Sequence, residues 1–165
     1  MTDERLTIRQ ADGAAQEVAS DLLRRFFADE GLATPASQQH AGLAAMLDDP
    51  RGVVLLAHNK GTASAPVGIA TASWRASVEH IRVAEIGELY VAPEARGRGL
   101  AAALVEAVAA WARAQGCSAL VVAVGPDGEL SHGSTGFFTR RAFDDEYRKL
   151  LSLDLRADDP AEETA

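Results

Sequence analysis

Polar and apolar residues alternate from Arg5 to Arg9, the two-residue period of a half-buried strand. Asp12-Gly13 marks a turn, and Asp12 is placed to cap the helix after it. Between Ala14 and Glu30 the residues Val18, Leu22, Leu23, Phe26 and Phe27 fall on one helical face, which ends near Gly31. On that helix Arg24, Arg25, Asp29 and Glu30 read as a solvated face. A second helix is predicted from Ser37 to Leu47, with Pro35 ahead of it and Asp48-Asp49-Pro50 closing it. Gly52 to His58 is a compact apolar strand. Val67 to Arg75 is another, Ser77 to His80 is a turn, and Val83 to Val91 is a third. The short connections imply antiparallel pairing in sequence order.

Beyond Val91 the pattern changes period. A Gly/Arg-rich turn opens a helix carrying Leu100, Leu104, Val108 and Trp111 at helical spacing, which stops at Gln115-Gly116. Ser118 to Val124 shows no polar alternation, as in a strand covered on both faces. Strand, helix and buried strand together make a right-handed βαβ unit. The chain then turns at Gly125 to Gly128, forms a short helix from Ser134 to Arg140 and ends in a strand from Tyr147 to Leu155. The fold class predicted is α/β (α+β): a mixed, mostly antiparallel sheet with one local parallel βαβ unit and helices on both faces. A single domain is expected over residues 1–157, with an acidic, disordered tail over 158–165.

Composition narrows the function classes. With 165 residues and 47% hydrophobic content, the chain is long enough to bury a substantial core. No apolar run is long enough to cross a bilayer, and Met1 to Gln10 lacks the apolar segment of a signal peptide. The single cysteine, Cys117, has no intramolecular partner, in keeping with a reducing compartment. A cytoplasmic location is therefore expected. A net charge of −8 argues against nucleic-acid partners and favours cationic or neutral acceptors.

The candidate chemistry lies in Arg96-Gly97-Arg98-Gly99-Leu100-Ala101. A helix start leaves backbone N–H groups unpaired at the positive end of the macrodipole, and glycines let a ligand approach the backbone. Arg96 and Arg98 can add charge-assisted bonds to phosphate oxygens. A P-loop is ruled out, because no Lys-Ser/Thr pair comes after the glycines. Gly97-x-Gly99-x-x-Ala102 fits the loose dinucleotide pattern, but Pro93 to Arg96 separates strand from glycine. A dinucleotide-binding domain stays as a minor alternative.

The stretch from Leu89-Tyr90-Val91-Ala92-Pro93 through Arg96-Gly97-Arg98-Gly99-Leu100-Ala101 closely resembles motif A of the Gcn5-related N-acetyltransferase (GNAT) superfamily. The resemblance extends from the strand near Leu6 to Leu155. It implies acetyl-CoA as acyl donor, with pyrophosphate on the amides of Arg96 to Ala101 and no metal. The pantetheine arm would pair with the backbone of Leu89, Tyr90 and Val91, and Leu89 N–H would polarise the thioester carbonyl. An amine, small molecule or protein N-terminus or lysine, would attack directly in a ternary complex. The resemblance leaves monomer and homodimer both open.

A protonated amine is no nucleophile, so a base is required. Glu85 and Glu88 on the motif strand are the candidates, Glu85 as base and Glu88 for acceptor binding. Strict alternation puts them on opposite faces, and a bulge at Gly87 would break that alternation. Partly exposed strand carboxylates are the plainer alternative for both. Members of the superfamily commonly carry a Tyr that protonates the leaving thiolate, where this chain has Phe138 in Phe137-Phe138-Thr139-Arg140-Arg141-Ala142-Phe143. His132, Ser134 and Tyr90 are other donors nearby. The substitution motivates a rival reading, a CoA-binding sensor or partner-binding module with little catalysis.

Overall fold

A computed structural model describes residues 6–59, 65–145 and 150–155. Five strands form one sheet in sequence order: β1 (Leu6–Gln10), β2 (Gly52–Asn59), β3 (Gly68–Ser77), β4 (Ile81–Val91) and β5 (Ala119–Val122). The first four pair antiparallel, and β4 with β5 pairs parallel. Helices α1 (Gln16–Asp29) and α2 (Ala36–Asp48) join β1 to β2, and α3 (Leu100–Ala114) crosses from β4 to β5. Two short helices come last, α4 (Pro126–His132) and α5 (Ser134–Thr139). The mixed sheet with its single parallel crossover is the architecture the pattern predicts.

Each face of the sheet has its own core. Val53, Leu55 and Ala57 of β2 pack with Leu100, Leu104, Val105 and Val108 of α3, while Val54 and Leu56 pack with Leu22, Leu23 and Leu43 of α1 and α2. The unbroken apolar run of β2 arises from this double burial. Asp12 accepts from Ala14 N–H at 3.0 Å, the capping expected of it, and starts a short 3-10 turn leading into α1. Arg82 lies over the Trp74 ring, 4.5 Å from its centroid, and donates to Gln115 O at 2.6 Å, supplying a partner for a carbonyl at the end of α3.

Three local expectations are corrected. Residues 150–155 form no strand: Leu150, Leu151, Leu153 and Leu155 are 78–88% exposed and join no described strand, so neither face gains burial. Tyr147 to Lys149 of that predicted strand, and the acidic tail, lie outside the described residues. The β5 strand is shorter than Ser118–Val124 and is not covered on both faces, with Val121 38% exposed. Pro126 to His132, read as a turn and loop, is helical, because Pro126 stands in the first turn where a missing N–H costs nothing and Asp127 and Glu129 favour the positive end. Among the described residues no helix is long and apolar enough to cross a membrane.

Candidate active site

The site begins where the sheet comes apart. The parallel ladder runs from Val83–Ala119 to Ile86–Val122 and stops, whereas β4 continues to Val91 with β3 on its other side. A cleft of about 850 Å³ fills the divergence, walled by Ile86, Gly87, Leu89 and Val91 on one side and Val122 to Gly125 on the other. At one end it meets the start of α3. Gly97 and Gly99 both have left-handed backbone, with φ of +75° and +76°, and Gly99 is the N-cap of α3 with no side-chain cap bond. The first intrahelical donor there is Ala103 N, to Gly99 O at 3.0 Å. The amides of Leu100, Ala101 and Ala102 therefore have no intrahelical acceptor, and these three residues line the cleft, an arrangement that can receive an anion.

Of the residues assigned to the donor, Leu89, Tyr90, Val91, Arg96, Gly97, Gly99, Leu100 and Ala101 line this one cleft; Arg98 does not. Arg96 is folded back, its Nε donating to Val91 O at 2.9 Å and its Nη2 3.8 Å from Asp29, with the guanidinium 5.7 Å from the centre of the Tyr90 ring. Tyr90 is buried and its hydroxyl donates to Asp29 at 2.8 Å. Burial first, and then this bond to a carboxylate, push the phenol above its ordinary range.

Glu85 and Glu88 lie on one face of the sheet, which strict alternation forbids. Opposite β3 the register passes from Ala72–Ile86 to Ala70–Leu89, so β4 carries one extra residue at Gly87-Glu88. Across this bulge Ile86 and Val91 share the α3 core, although their parities differ, and Tyr90 joins the α1/α2 core. The buried Thr71 anchors the bulge: its hydroxyl accepts from Glu88 N–H at 2.9 Å and donates to the Glu88 carboxylate. A Cβ on Gly87 would come 2.8 Å from that hydroxyl, so glycine is required there. Glu85 is exposed and Glu88 half-buried, and neither is among the residues lining the cleft.

The end of α1 supplies residues that the pattern alone leaves on a solvated face. Phe26, Asp29 and Glu30 stand at i, i+3 and i+4 and turn together toward β4 and the cleft. Phe26 packs edge-on against Tyr90 at 5.9 Å, and Phe26, Glu30 and Leu32 line the cleft. Glu30, with a side chain 16% exposed, lies 2.9 Å from His132 Nε2 at the end of α4. Arg25 donates to both carboxylate oxygens of Glu94 at 2.8 and 3.0 Å, which raises the guanidinium and lowers the carboxyl from their ordinary values. Phe138 is buried among Phe137 and Phe143 and borders the cleft. Cys117 is half-buried, and burial pushes its thiol up, away from nucleophilic use. No cluster of three or more metal-ligating side chains occurs among the described residues.

A model of the acetyltransferase (GNAT) family matches residues 16–143, which include the split strands, the start of α3 and Phe138. The chain belongs to the GNAT acetyltransferase family. No curated protein matches it. Among solved structures, an aminoglycoside N-acetyltransferase, AAC(6')-Iy, in complex with CoA is similar with a TM-score of 0.77 and 21% identity, over 91% of this chain and 95% of that one. An integron cassette protein, HFX_CASS3, from the mobile metagenome of Cole Harbour Salt Marsh matches with a TM-score of 0.75 and 25% identity, over 90% of each chain. A predicted acetyltransferase from Clostridium acetobutylicum, solved with acetyl-CoA, matches with a TM-score of 0.74 and 16% identity, over 92% and 97%. This GNAT chain thus shares its fold with proteins solved with CoA and with acetyl-CoA.

Proposed function

We propose that this GNAT chain transfers the acetyl group of acetyl-CoA to a primary amine, of a small molecule or of a protein N-terminus or lysine, by direct attack in a ternary complex. The observation that carries the reading is the cleft itself, a strand edge left open beyond Ile86 and continuous with the unpaired amides at the start of α3. In this reading the pyrophosphate lies on the amides of Arg96 to Ala101. The pantetheine arm runs along the backbone of Leu89, Tyr90 and Val91, and Leu89 N–H stabilises charge on the thioester oxygen. Arg98, exposed at the rim, contributes long-range charge. Glu88, half-buried and held by Thr71 where Glu85 is exposed on the same face, takes over from Glu85 the expected role of base and accepts the ammonium proton through water.

Thiol release from acetyl-CoA, measured against a panel of amines, tests the reading. Turnover with any amine supports it. Tight acetyl-CoA binding without turnover on any of them supports instead a CoA-binding module with little catalysis, the alternative that Phe138 motivates. With an accepted amine, Glu88→Gln is expected to lower kcat/KM by about a hundredfold and to remove the acidic limb of the pH profile. Glu85→Gln is expected to do less. If both variants keep wild-type kinetics, the base lies elsewhere.

A further inference from the structure

We propose that His132, oriented by Glu30, is the general acid that gives a proton to the departing thiolate of CoA. The inference rests on the acetyl-transfer reading above and assigns a step which that reading leaves without a donor. Phe138 borders the cleft and has no proton to give. His132 borders the same cleft, from the C-terminus of α4 and one residue before the Gly133 turn that starts α5. Its partner Glu30 comes from the opposite wall, at the C-cap of α1, 102 residues earlier in the chain.

Chemistry fixes the arrangement of the ring. An ionised carboxylate only accepts, so the nitrogen 2.9 Å from Glu30 Oε1 carries hydrogen and Nδ1 is left for the ligand. Asp29, Glu129 and Arg141 on the surrounding elements are engaged elsewhere. Asp29 takes the Tyr90 hydroxyl and faces Arg96, Glu129 takes Thr135 N–H at 2.8 Å, and Arg141 donates to Phe137 O at 2.7 Å and covers the Phe137 ring. Asp127 also lines the cleft, from the first turn of α4, and Arg140 closes α5. Glu30 is thus the carboxylate in contact with the imidazole.

The step balances. The lone pair of the neutral amine attacks the thioester carbonyl carbon and forms the C–N bond. The C–S bond breaks with its electron pair going to sulfur, and the imidazolium transfers its Nδ1 proton to that sulfur. The proton lost by the attacking nitrogen passes to the carboxylate base and then to water, and water reprotonates the imidazole. As chemical classes, imidazolium is a stronger acid than an alkyl thiol and a phenol a weaker one, so an imidazole group suits proton donation to a departing thiolate better than a phenol does. A thiolate is already a fair leaving group, so the gain lies at or below the low end of general-acid effects.

The test uses wild type, His132→Gln, His132→Ala, Glu30→Gln and Glu30→Ala, with thiol release monitored across pH and acetyl-CoA affinity measured by calorimetry. His132→Gln is expected to lower kcat by about ten- to a hundredfold and to remove the alkaline limb, with the acetyl-CoA Kd unchanged. Added imidazole is expected to restore rate to His132→Ala, which a merely structural loss would not allow. Glu30→Gln, which keeps an acceptor for Nε2, is expected to keep most of the rate, and Glu30→Ala to fall with the histidine variants. A His132→Gln enzyme with the wild-type alkaline limb and kcat, or a His132→Ala enzyme that imidazole does not rescue, overturns the inference while leaving acetyl transfer standing. A wild type that binds acetyl-CoA and acetylates no amine overturns the acetyl-transfer reading itself, and this inference with it.

Discussion

At the scale of single residues, Tyr90 and Phe138 show how the site is tuned. The Tyr90 phenol is held above its ordinary value by burial and then by its bond to Asp29. A group raised in the folded state stabilises fully below its unfolded pKa and loses that stabilisation as pH rises through the folded value. Stability is therefore expected to fall as pH climbs past about 10. Tyr90→Phe is expected to cost about 1 kcal/mol at neutral pH and to flatten that alkaline fall, which thermal melts of both proteins across pH would show. Phe138→Tyr bears on the other end of the reaction. Its new hydroxyl can face the cleft that Phe138 already borders. With His132 as acid, the substitution is expected to leave kcat within about twofold in wild type and to raise it in the His132→Gln background. A large gain in wild type would mean that protonation of the thiolate is unassisted and limiting.

At the scale of elements, conformation does what side chains alone do not. Gly99 meets no atom within 4 Å of an added Cβ, so its requirement is one of torsion, not space. Gly99→Ala is expected to cost about 1–2 kcal/mol and, by shifting the first amides of α3, to weaken CoA binding about tenfold, both readable by calorimetry. Ile81 at the β3–β4 turn has φ of +63° and is 79% exposed, a β-branched residue held in left-handed backbone with little burial in return. Ile81→Asn is expected to stabilise by about 1 kcal/mol, raising Tm by about 3 °C. Such local features also decide what the sequence reveals. The apolar run of β2, the Asp12 cap and the glycines before α3 are encoded over a few neighbouring residues and are legible. The Glu30–His132 and Asp29–Tyr90 contacts join positions 102 and 61 apart, and helical periodicity alone leaves Asp29 and Glu30 on a solvent face. A bulge at Gly87 is open to a reader of the sequence, but only the β3 register, with Thr71 behind it, puts Glu85 and Glu88 on the same face.

At the scale of the whole molecule, the cleft is a break in the sheet that ligand is expected to bridge. One wall is the far half of β4, joined to the antiparallel strands; the other is the stretch after β5 with α4 and α5, linked to the first across the mouth by Glu30 and His132. On the described residues β5 pairs only with β4, through the register Val83–Ala119 to Ile86–Val122. A ligand that spans the cleft adds contacts to both walls in the folded state alone, so it must stabilise by mass action. At about a hundred times Kd the gain is about 2.7 kcal/mol. For a chain of this size that corresponds to a rise in Tm of about 5–10 °C. CoA and acetyl-CoA are expected to give this shift and NAD none, because a nicotinamide dinucleotide has no pantetheine arm to lay along Leu89 to Val91. The effect should also localise: amides of β5 and α4 should gain hydrogen-exchange protection on CoA binding, whereas those of β1 and β2, paired with or without ligand, should change little. A shift with NAD equal to that with CoA would return the start of α3 to a general phosphate site and remove the reason for assigning the open strand edge to the pantetheine arm.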